Sequence, residues 1–100
     1  MYSVQLTPEF EAWLDGLKDR TTQIRIVARL RQAEAGNLGD WKPVGGRISE
    51  MRVHSGSGYR LYFSPQGGVL IIMLAGGSKS TQSRDIARAQ RILLELEANK

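Results

Sequence analysis

Apolar residues recur at helical spacing in three stretches of the chain, and each stretch predicts a helix with one buried face. The first helix begins at Thr7-Pro8, since threonine caps helix starts and proline suits the first helical position; its stripe is Phe10, Trp13, Leu14 and Leu17. The second is predicted from Thr21 or Thr22 to Ala35, with the buried face Ile26, Val27, Leu30 and Ala33. The third is predicted over residues 81–98, capped by Ser80 or Thr81, with the buried face Ile86, Ala89, Leu93 and Leu96.

The remaining apolar positions predict four strands. Tyr2–Leu6 alternates, as do Gly46–His54 and Tyr59–Ser64, which the turn at 55–58 joins. Val69–Ala75 is apolar without alternation, which is expected of a strand covered on both faces. Residues 36–46, GNLGDWKPVGG, are rich in turn formers and are predicted to be an irregular connection. The order β-α-α-β-β-β-α predicts one α+β domain over residues 1–100.

Alternation divides the central predicted hairpin into two unlike faces. One face is apolar and consists of Met51, Val53, Tyr59, Leu61 and Phe63. The other carries Glu50, Arg52, His54, Arg60 and Tyr62. Two interpretations stay open: a solvated face in which Glu50 pairs with the arginines, or a cluster of Arg52, Arg60 and Lys79 fitted to a phosphodiester.

The charge distribution favours the second interpretation only in part. The chain carries a net charge of +4, and residues 20–91 hold twelve basic side chains against Glu34, Asp40, Glu50 and Asp85. Such a basic surface suits a polyanionic partner such as RNA, DNA or an acidic protein, although solubility alone explains it equally well. The chain has no cysteine, which excludes disulfides and thiolate chemistry. With no leader-like N-terminus and no apolar run longer than residues 69–75, we expect a cytoplasmic protein without a membrane span.

Lys79 follows an apolar strand and a double glycine, an order also found in phosphate-binding loops. Such a loop requires glycine both one and six positions before the lysine, and this chain has Ser78 and Met73 there. A nucleotide-binding P-loop is therefore rejected, and Lys79 needs another role.

The chain resembles toxins of the RelE/ParE superfamily, closest to the HigB-like addiction module killer group. The matching segments are FEAWLDGLKD (10–19), IVARLRQAEAGNLGDWKPVGG (26–46), ISEMRVHSGSGYRLYF (48–63) and LAGGSKSTQSRDIARA (74–89). The resemblance implies a small mixed, mainly antiparallel sheet flanked by helices. It also implies a ribosome-dependent endoribonuclease that cuts mRNA by attack of the substrate's own 2′-hydroxyl, without a metal or other cofactor. The implied partners are the ribosome, mRNA and a cognate HigA-like helix-turn-helix antitoxin, through which alone operator DNA is contacted.

Residue by residue, the resemblance assigns Arg52, Arg60 and Lys79 to the basic positions of the catalytic cluster. Many RelE-type enzymes place a tyrosine or histidine near the C-terminus, whereas this chain has no aromatic residue after Phe63. The general base therefore stays open among His54, Lys79 and Glu50; His54 is the single histidine, and histidine changes charge between pH 5 and 8. The missing aromatic also keeps open a ParE-like DNA gyrase inhibitor without enzymatic activity, and a defective homologue that only binds its antitoxin.

Further residues are candidates for substrate contact. Arg25, Arg29 and Arg31 are predicted to reach solvent from the second helix, where they either grip ribosomal RNA backbone or form a solvated face. Tyr62 and Glu50 are predicted to contact substrate from the polar face of the hairpin. Trp41 either packs under its loop, which we favour, or stacks on a base. Gly76 and Gly77 are predicted to form the turn that presents Lys79.

Overall fold

The computed structural model describes residues 2–99 and has the predicted α+β architecture. Its elements in chain order are β1 (Ser3–Leu6), α1 (Pro8–Asp15), α2 (Arg20–Glu34), β2 (Trp41–Gly45), β3 (Ile48–Val53), β4 (Tyr59–Gln66), β5 (Leu70–Ser78), a 3-10 turn (Lys79–Thr81) and α3 (Gln82–Ala98). Within these described residues no helix is long and apolar enough to cross a membrane.

The five strands form one mixed sheet in the order β1-β5-β4-β3-β2. β1 runs parallel to β5, and the other three pairings are antiparallel, which confirms the predicted mixed, mainly antiparallel sheet. The prediction of an irregular connection over residues 36–46 is wrong for its second half. Trp41–Gly45 instead forms the edge strand beside β3, and Pro43 is tolerated there because an edge strand leaves half its N–H groups unpaired.

One side of the sheet packs under α1 and α2, and we call it the α1/α2 face. Its buried core joins both helices to alternate residues of β3, β4 and β5: Phe10, Leu14, Ile26, Leu30, Ala33, Met51, Val53, Leu61, Phe63, Ile71 and Met73. These positions confirm the predicted stripes on both helices and the apolar face of the hairpin. Val27 is the exception, with 38% of its surface exposed, because it lies at the edge of the α2 stripe.

The opposite side of the sheet, the α3 face, carries the polar face predicted for the hairpin, but it is not left to solvent. Helix α3 covers part of it with a second core of Ile48, Tyr62, Leu74, Ala75, Ala89, Ile92 and Leu93. Tyr62 and Glu50 are both completely buried. Alternation assigned these residues to the correct face of the hairpin, but the prediction that this face is exposed to solvent is wrong. A polar stripe on a strand does not show whether a helix from a distant part of the sequence packs over it.

Two glycines of β5 let α1 and α3 approach the sheet closely. A Cβ at Gly76 would lie 2.3 Å from the ring of Trp13, and one at Gly77 would lie 1.8 Å from Asp85 Oδ2. The prediction that these glycines form a turn is therefore wrong: both lie inside a strand and are needed for space. The turn that carries Lys79 begins only after Ser78.

Side chains at the helix starts fix the ends of the elements. Thr7 caps α1 as predicted, since its hydroxyl accepts from the Phe10 N–H at 3.2 Å and donates to Met73 O at 2.9 Å. Helix α2 begins at Arg20, before the predicted start at Thr21 or Thr22, because Asp19 accepts from the N–H groups of both threonines. Thr81 sits at the N-cap of α3, but its hydroxyl donates to the buried Asp85 carboxylate and caps no helix N–H.

Candidate functional site

A cavity opens where the end of β3, the start of β4 and the end of β5 meet. In the sheet register Arg52 lies opposite Arg60, and Arg60 lies opposite Gly77, two residues before Lys79. The cavity has a volume of about 340 Å³ and is lined by Arg52, Val53, His54, Ser55, Gly56, Ser57, Gly58, Tyr59, Arg60 and Lys79. We call it the basic cavity. All four residues predicted to be catalytic, Arg52, His54, Arg60 and Lys79, line it.

The loop at 55–58 forms one wall of the basic cavity and is tied to helix α2. The Ser55 hydroxyl is buried 2.9 Å from the Thr22 hydroxyl, which in turn donates to Asp19 at 2.7 Å. Gly58 has a φ of +96°, a conformation that side chains disfavour, and its carbonyl accepts from the Lys79 N–H at 3.2 Å. The loop therefore links the start of α2 to the turn that carries Lys79.

Glu50 lies beneath the two arginines and holds one of them directly. Both carboxylate oxygens accept from Arg60 Nη1 at 2.9 Å, while Arg52 Nε and Lys42 Nζ each lie 3.9 Å from Glu50 Oε1. The Arg60 side chain is only 15% exposed. The first interpretation of this face, in which Glu50 pairs with an arginine, is therefore correct for Glu50 and Arg60. Three cations surround this single buried carboxylate, so the cluster keeps an excess of positive charge beside the cavity.

His54 lies at the rim of the basic cavity with an acid as its neighbour. Its Nε2 is 3.0 Å from Asp40 Oδ2, and the other oxygen of that carboxylate is 4.0 Å from Arg52 Nη1. The hydrogen bond from His54, with a smaller contribution from the positive charge of Arg52, lowers the pKa of Asp40 below its ordinary value. Asp40 is therefore ionised at neutral pH.

Tyr62 and Glu50, which were predicted to contact substrate, present no surface to a ligand. The Tyr62 hydroxyl is buried without a hydrogen-bond partner among residues 2–99. Burial, together with the negative charges of Glu50 and Asp85, raises the pKa of Tyr62 to about 12. Both residues lie inward of the cavity, where Glu50 orients Arg60 and Tyr62 fills the core under α3.

The three arginines of α2 that were predicted to reach solvent, Arg25, Arg29 and Arg31, have different environments. Arg25 and Arg31 are exposed, as predicted, and Arg25 Nη1 donates to the His54 carbonyl at 3.3 Å. The prediction that Arg29 reaches solvent is wrong. Its guanidinium donates to the carbonyls of Arg52 and Leu38, and burial lowers its pKa. Arg29 therefore anchors the segment before β2 to the end of β3.

Trp41 packs against the α1/α2 face, as the favoured interpretation expected. Its ring centroid lies 6.1 Å from that of Phe63, at an interplanar angle of 57°. The side chain keeps 42% of its surface exposed, because β2 is an edge strand. Trp41 does not line the basic cavity.

Comparison with known proteins places these features in a family. Residues 12–94 match the family described as phage-derived protein Gp49-like (DUF891). The chain belongs to the Gp49-like family. It is also 43% identical over 93 residues to an uncharacterized protein of Haemophilus influenzae, a match that covers 93% of this chain and 94% of the relative. The Gp49-like family is associated with toxin–antitoxin modules and is related to RelE-like toxins.

The stretch of this Gp49-like chain that matches the family contains every residue of the basic cavity. The sequence did not predict a role for Asp40 or Lys42 at the site, because both fall in the segment predicted to be irregular. The pairing of Lys42 with Glu50 across β2 and β3 brings its cation to the cluster. Residues 41–45 show no alternation, because the apolar Trp41 and Val44 are three positions apart and lie on opposite faces of β2. Among residues 2–99 no group of three or more metal-ligating side chains is gathered.

Proposed function

We propose that this Gp49-like chain is the toxin of a type II toxin–antitoxin module and a RelE-like, ribosome-dependent mRNA endoribonuclease. The observation that carries the proposal is the convergence of Arg52, Arg60 and Lys79 on one cavity. The relation of the family to RelE-like toxins supports the same assignment. The cavity opens at the end of the sheet, where β3, β4 and β5 meet.

The chemistry assigned to the basic cavity is transesterification at one phosphate of an RNA strand. The 2′-hydroxyl of the substrate attacks the adjacent phosphorus, and negative charge grows on the non-bridging oxygens as the transition state forms. Arg52, Arg60 and Lys79 supply fixed positive charge at that point, and Arg guanidinium groups match the geometry of phosphate oxygens. Glu50 keeps Arg60 oriented, so that its remaining N–H groups are available to the cavity.

The partners follow from this proposal. The ribosome would supply the mRNA in the decoding site, and the exposed Arg25 and Arg31 would contact ribosomal RNA backbone. A cognate HigA-like helix-turn-helix antitoxin would neutralise the toxin and carry it to operator DNA. The chain itself would then need no contact with DNA.

The test is mRNA cleavage in a translating bacterial extract, read by mapping new 5′ ends. The unaltered chain is expected to produce cuts phased with the codons in the ribosome. Lys79→Ala and Arg52→Ala should each lower the cleavage rate by about 100-fold, because each removes a charge that stabilises the transition state. Both side chains are partly or fully exposed, so the fold should survive; Arg60→Ala is avoided, since it would leave Glu50 buried and unpaired.

The matched control is Arg91→Ala, which removes one positive charge from an exposed face of α3. It should cleave at the unaltered rate. Intact mRNA together with inhibition of DNA gyrase supercoiling would replace the proposal with the ParE-like alternative. Intact mRNA and unaffected gyrase, with retained antitoxin binding, would favour the defective homologue.

A further inference from the structure

A histidine and a carboxylate meet at the rim of the basic cavity, although fourteen residues separate them in the chain. Asp40 immediately precedes β2 and His54 immediately follows β3, so the antiparallel pairing of these strands brings them together. The Arg52 N–H donates to the Asp40 carbonyl at 2.9 Å and continues that pairing to the end of the strands. The contact between Asp40 and His54 therefore follows from the pairing of β2 with β3.

The backbone of Asp40 is held independently of its side chain. Its carbonyl accepts from the Arg52 N–H and from Arg29 Nη2, the latter at 3.4 Å. One oxygen of the carboxylate then faces His54 and the other faces Arg52. The ionised Asp40 carboxylate thus contacts His54 and also lies next to Arg52, one of the arginines proposed to bind phosphate.

The hydrogen bond also decides which ring nitrogen of His54 is free. A neutral imidazole donates from one nitrogen and accepts at the other, and a carboxylate can only accept. Nε2 therefore carries the proton toward Asp40, and the lone pair remains on Nδ1. The His54 side chain is 77% exposed and lines the basic cavity, so its ring is open to a bound strand.

We propose that His54 is the general base of the cleavage reaction and that Asp40 is the residue that positions it; this rests on the function proposed above. His54 Nδ1 takes the proton of the 2′-hydroxyl as the 2′-oxygen bonds to phosphorus. The bond from phosphorus to the 5′-oxygen breaks, and that oxygen takes a proton from water. The products are a 2′,3′-cyclic phosphate and a 5′-hydroxyl, and His54 returns its proton to solvent.

The first measurement is the tautomer of His54 in the free protein, read from ring ¹⁵N chemical shifts at pH 8. An untagged protein with ¹⁵N-labelled histidine gives one set of ring signals, because the chain has a single histidine. The unaltered chain should show the Nε2–H form. Asp40→Ala should show a mixture of both tautomers, whereas Asp15→Ala, a change at an exposed acid of α1, should leave the Nε2–H form in place.

The second measurement is single-turnover cleavage of ribosome-bound mRNA as a function of pH. His54→Ala should cleave about 100-fold more slowly or worse, and added imidazole should restore part of the rate. Asp40→Ala should lower the cleavage rate by about 10-fold with unchanged ribosome affinity, since it disturbs the orientation of the base. The groups that face His54 are Asp40 from the segment before β2, Arg25 from α2, and Arg52, Arg60 and Lys79 around the cavity.

The outcomes separate the two proposals. Cleavage by the unaltered chain together with full activity of His54→Ala or Asp40→Ala overturns the His54–Asp40 assignment and leaves the ribonuclease in place. An unchanged tautomer in Asp40→Ala also overturns the positioning role. Absence of cleavage by the unaltered chain overturns the proposed function, and the role of His54 with it.

Discussion

Tyr62 places a polar hydroxyl group inside the apolar core under α3. Its ring is fully buried in the core under α3, and its hydroxyl has no hydrogen-bond partner among residues 2–99. Glu50 and Asp85 lie close enough for their negative charges to disfavour ionisation of the hydroxyl. The phenol is therefore kept neutral far above the pH at which an exposed tyrosine ionises.

Tyr62→Phe should raise the free energy of unfolding by about 1 kcal/mol at neutral pH, because it removes a buried hydroxyl that lacks a partner. In the unaltered chain stability should fall as the pH rises from about 10 to about 12. In that range the unfolded chain has already lost the proton, while the folded chain retains it. Urea unfolding across this pH range is the measurement.

Tyr2→Phe serves as the control for Tyr62→Phe, since it removes the hydroxyl of a half-buried tyrosine elsewhere on the molecule. It should keep the alkaline loss of stability, and Tyr62→Phe should lose most of it. The same alkaline loss in both variants would contradict the assignment to Tyr62.

At the scale of elements, β5 determines how closely both layers of helices approach the sheet. Gly76 faces the ring of Trp13 on one side and Gly77 faces Asp85 on the other. Asp85 also accepts from Thr81 and lies 3.5 Å from Arg88, so the first turn of α3 is held against the end of β5. The turn that carries Lys79 lies between these two elements, and its position depends on that contact.

Gly77→Ala should lower the free energy of unfolding by about 1–3 kcal/mol, because the added methyl group would overlap Asp85 and force α3 away from β5. The urea midpoint measures the effect. Gly16→Ala is the control, since the φ of Gly16, −82°, suits alanine. Its Cβ would make a tight contact at 3.2 Å with Ala12 O, but without the overlap that arises at Gly77. Equal effects of the two substitutions would show that the close approach at Gly77 is not needed.

Across the whole molecule, the arginines of the two long helices differ in their surroundings. On α3, Arg88 and Arg91 lie within 3.6 Å of acidic side chains. On α2, the exposed arginines are Arg20, Arg25 and Arg31, and the only acidic residue within that helix is Glu34. Helix α2 therefore carries a larger excess of positive charge than α3, which suits contact with a large polyanion.

Arg31→Ala should weaken binding to ribosomes and reduce the slope of log affinity against log salt concentration by about 1, as expected on losing one phosphate contact. Sedimentation with 70S ribosomes over a range of salt concentrations measures both quantities. Arg91→Ala, on the opposite side of the sheet, should change neither. A salt slope that is the same for both variants would assign the ribosome contact to another surface.

The helices could be predicted well because their information is local. The stripe from Phe10 to Leu17 and the pair Thr7-Pro8 specify α1, since helical spacing and capping act within a few residues. The hairpin of β3 and β4 was equally accessible, because alternation assigns Arg52 and Arg60 to one face whatever the rest of the fold does. The missed strand β2 is the counterexample, since Pro43 and three nearby glycines gave it the composition of a loop.

The sequence by itself determined every element except β2, the two faces of the hairpin and the proximity of Arg52 to Arg60. Only the tertiary structure decided which polar residues are buried, because the burial of Glu50 and Tyr62 depends on where α3 lies. It also decided that Asp40 contacts His54 and that Lys79 joins the arginines at one cavity. Such contacts depend on strand register and helix placement, which arise from packing between segments far apart in the chain and leave no local pattern.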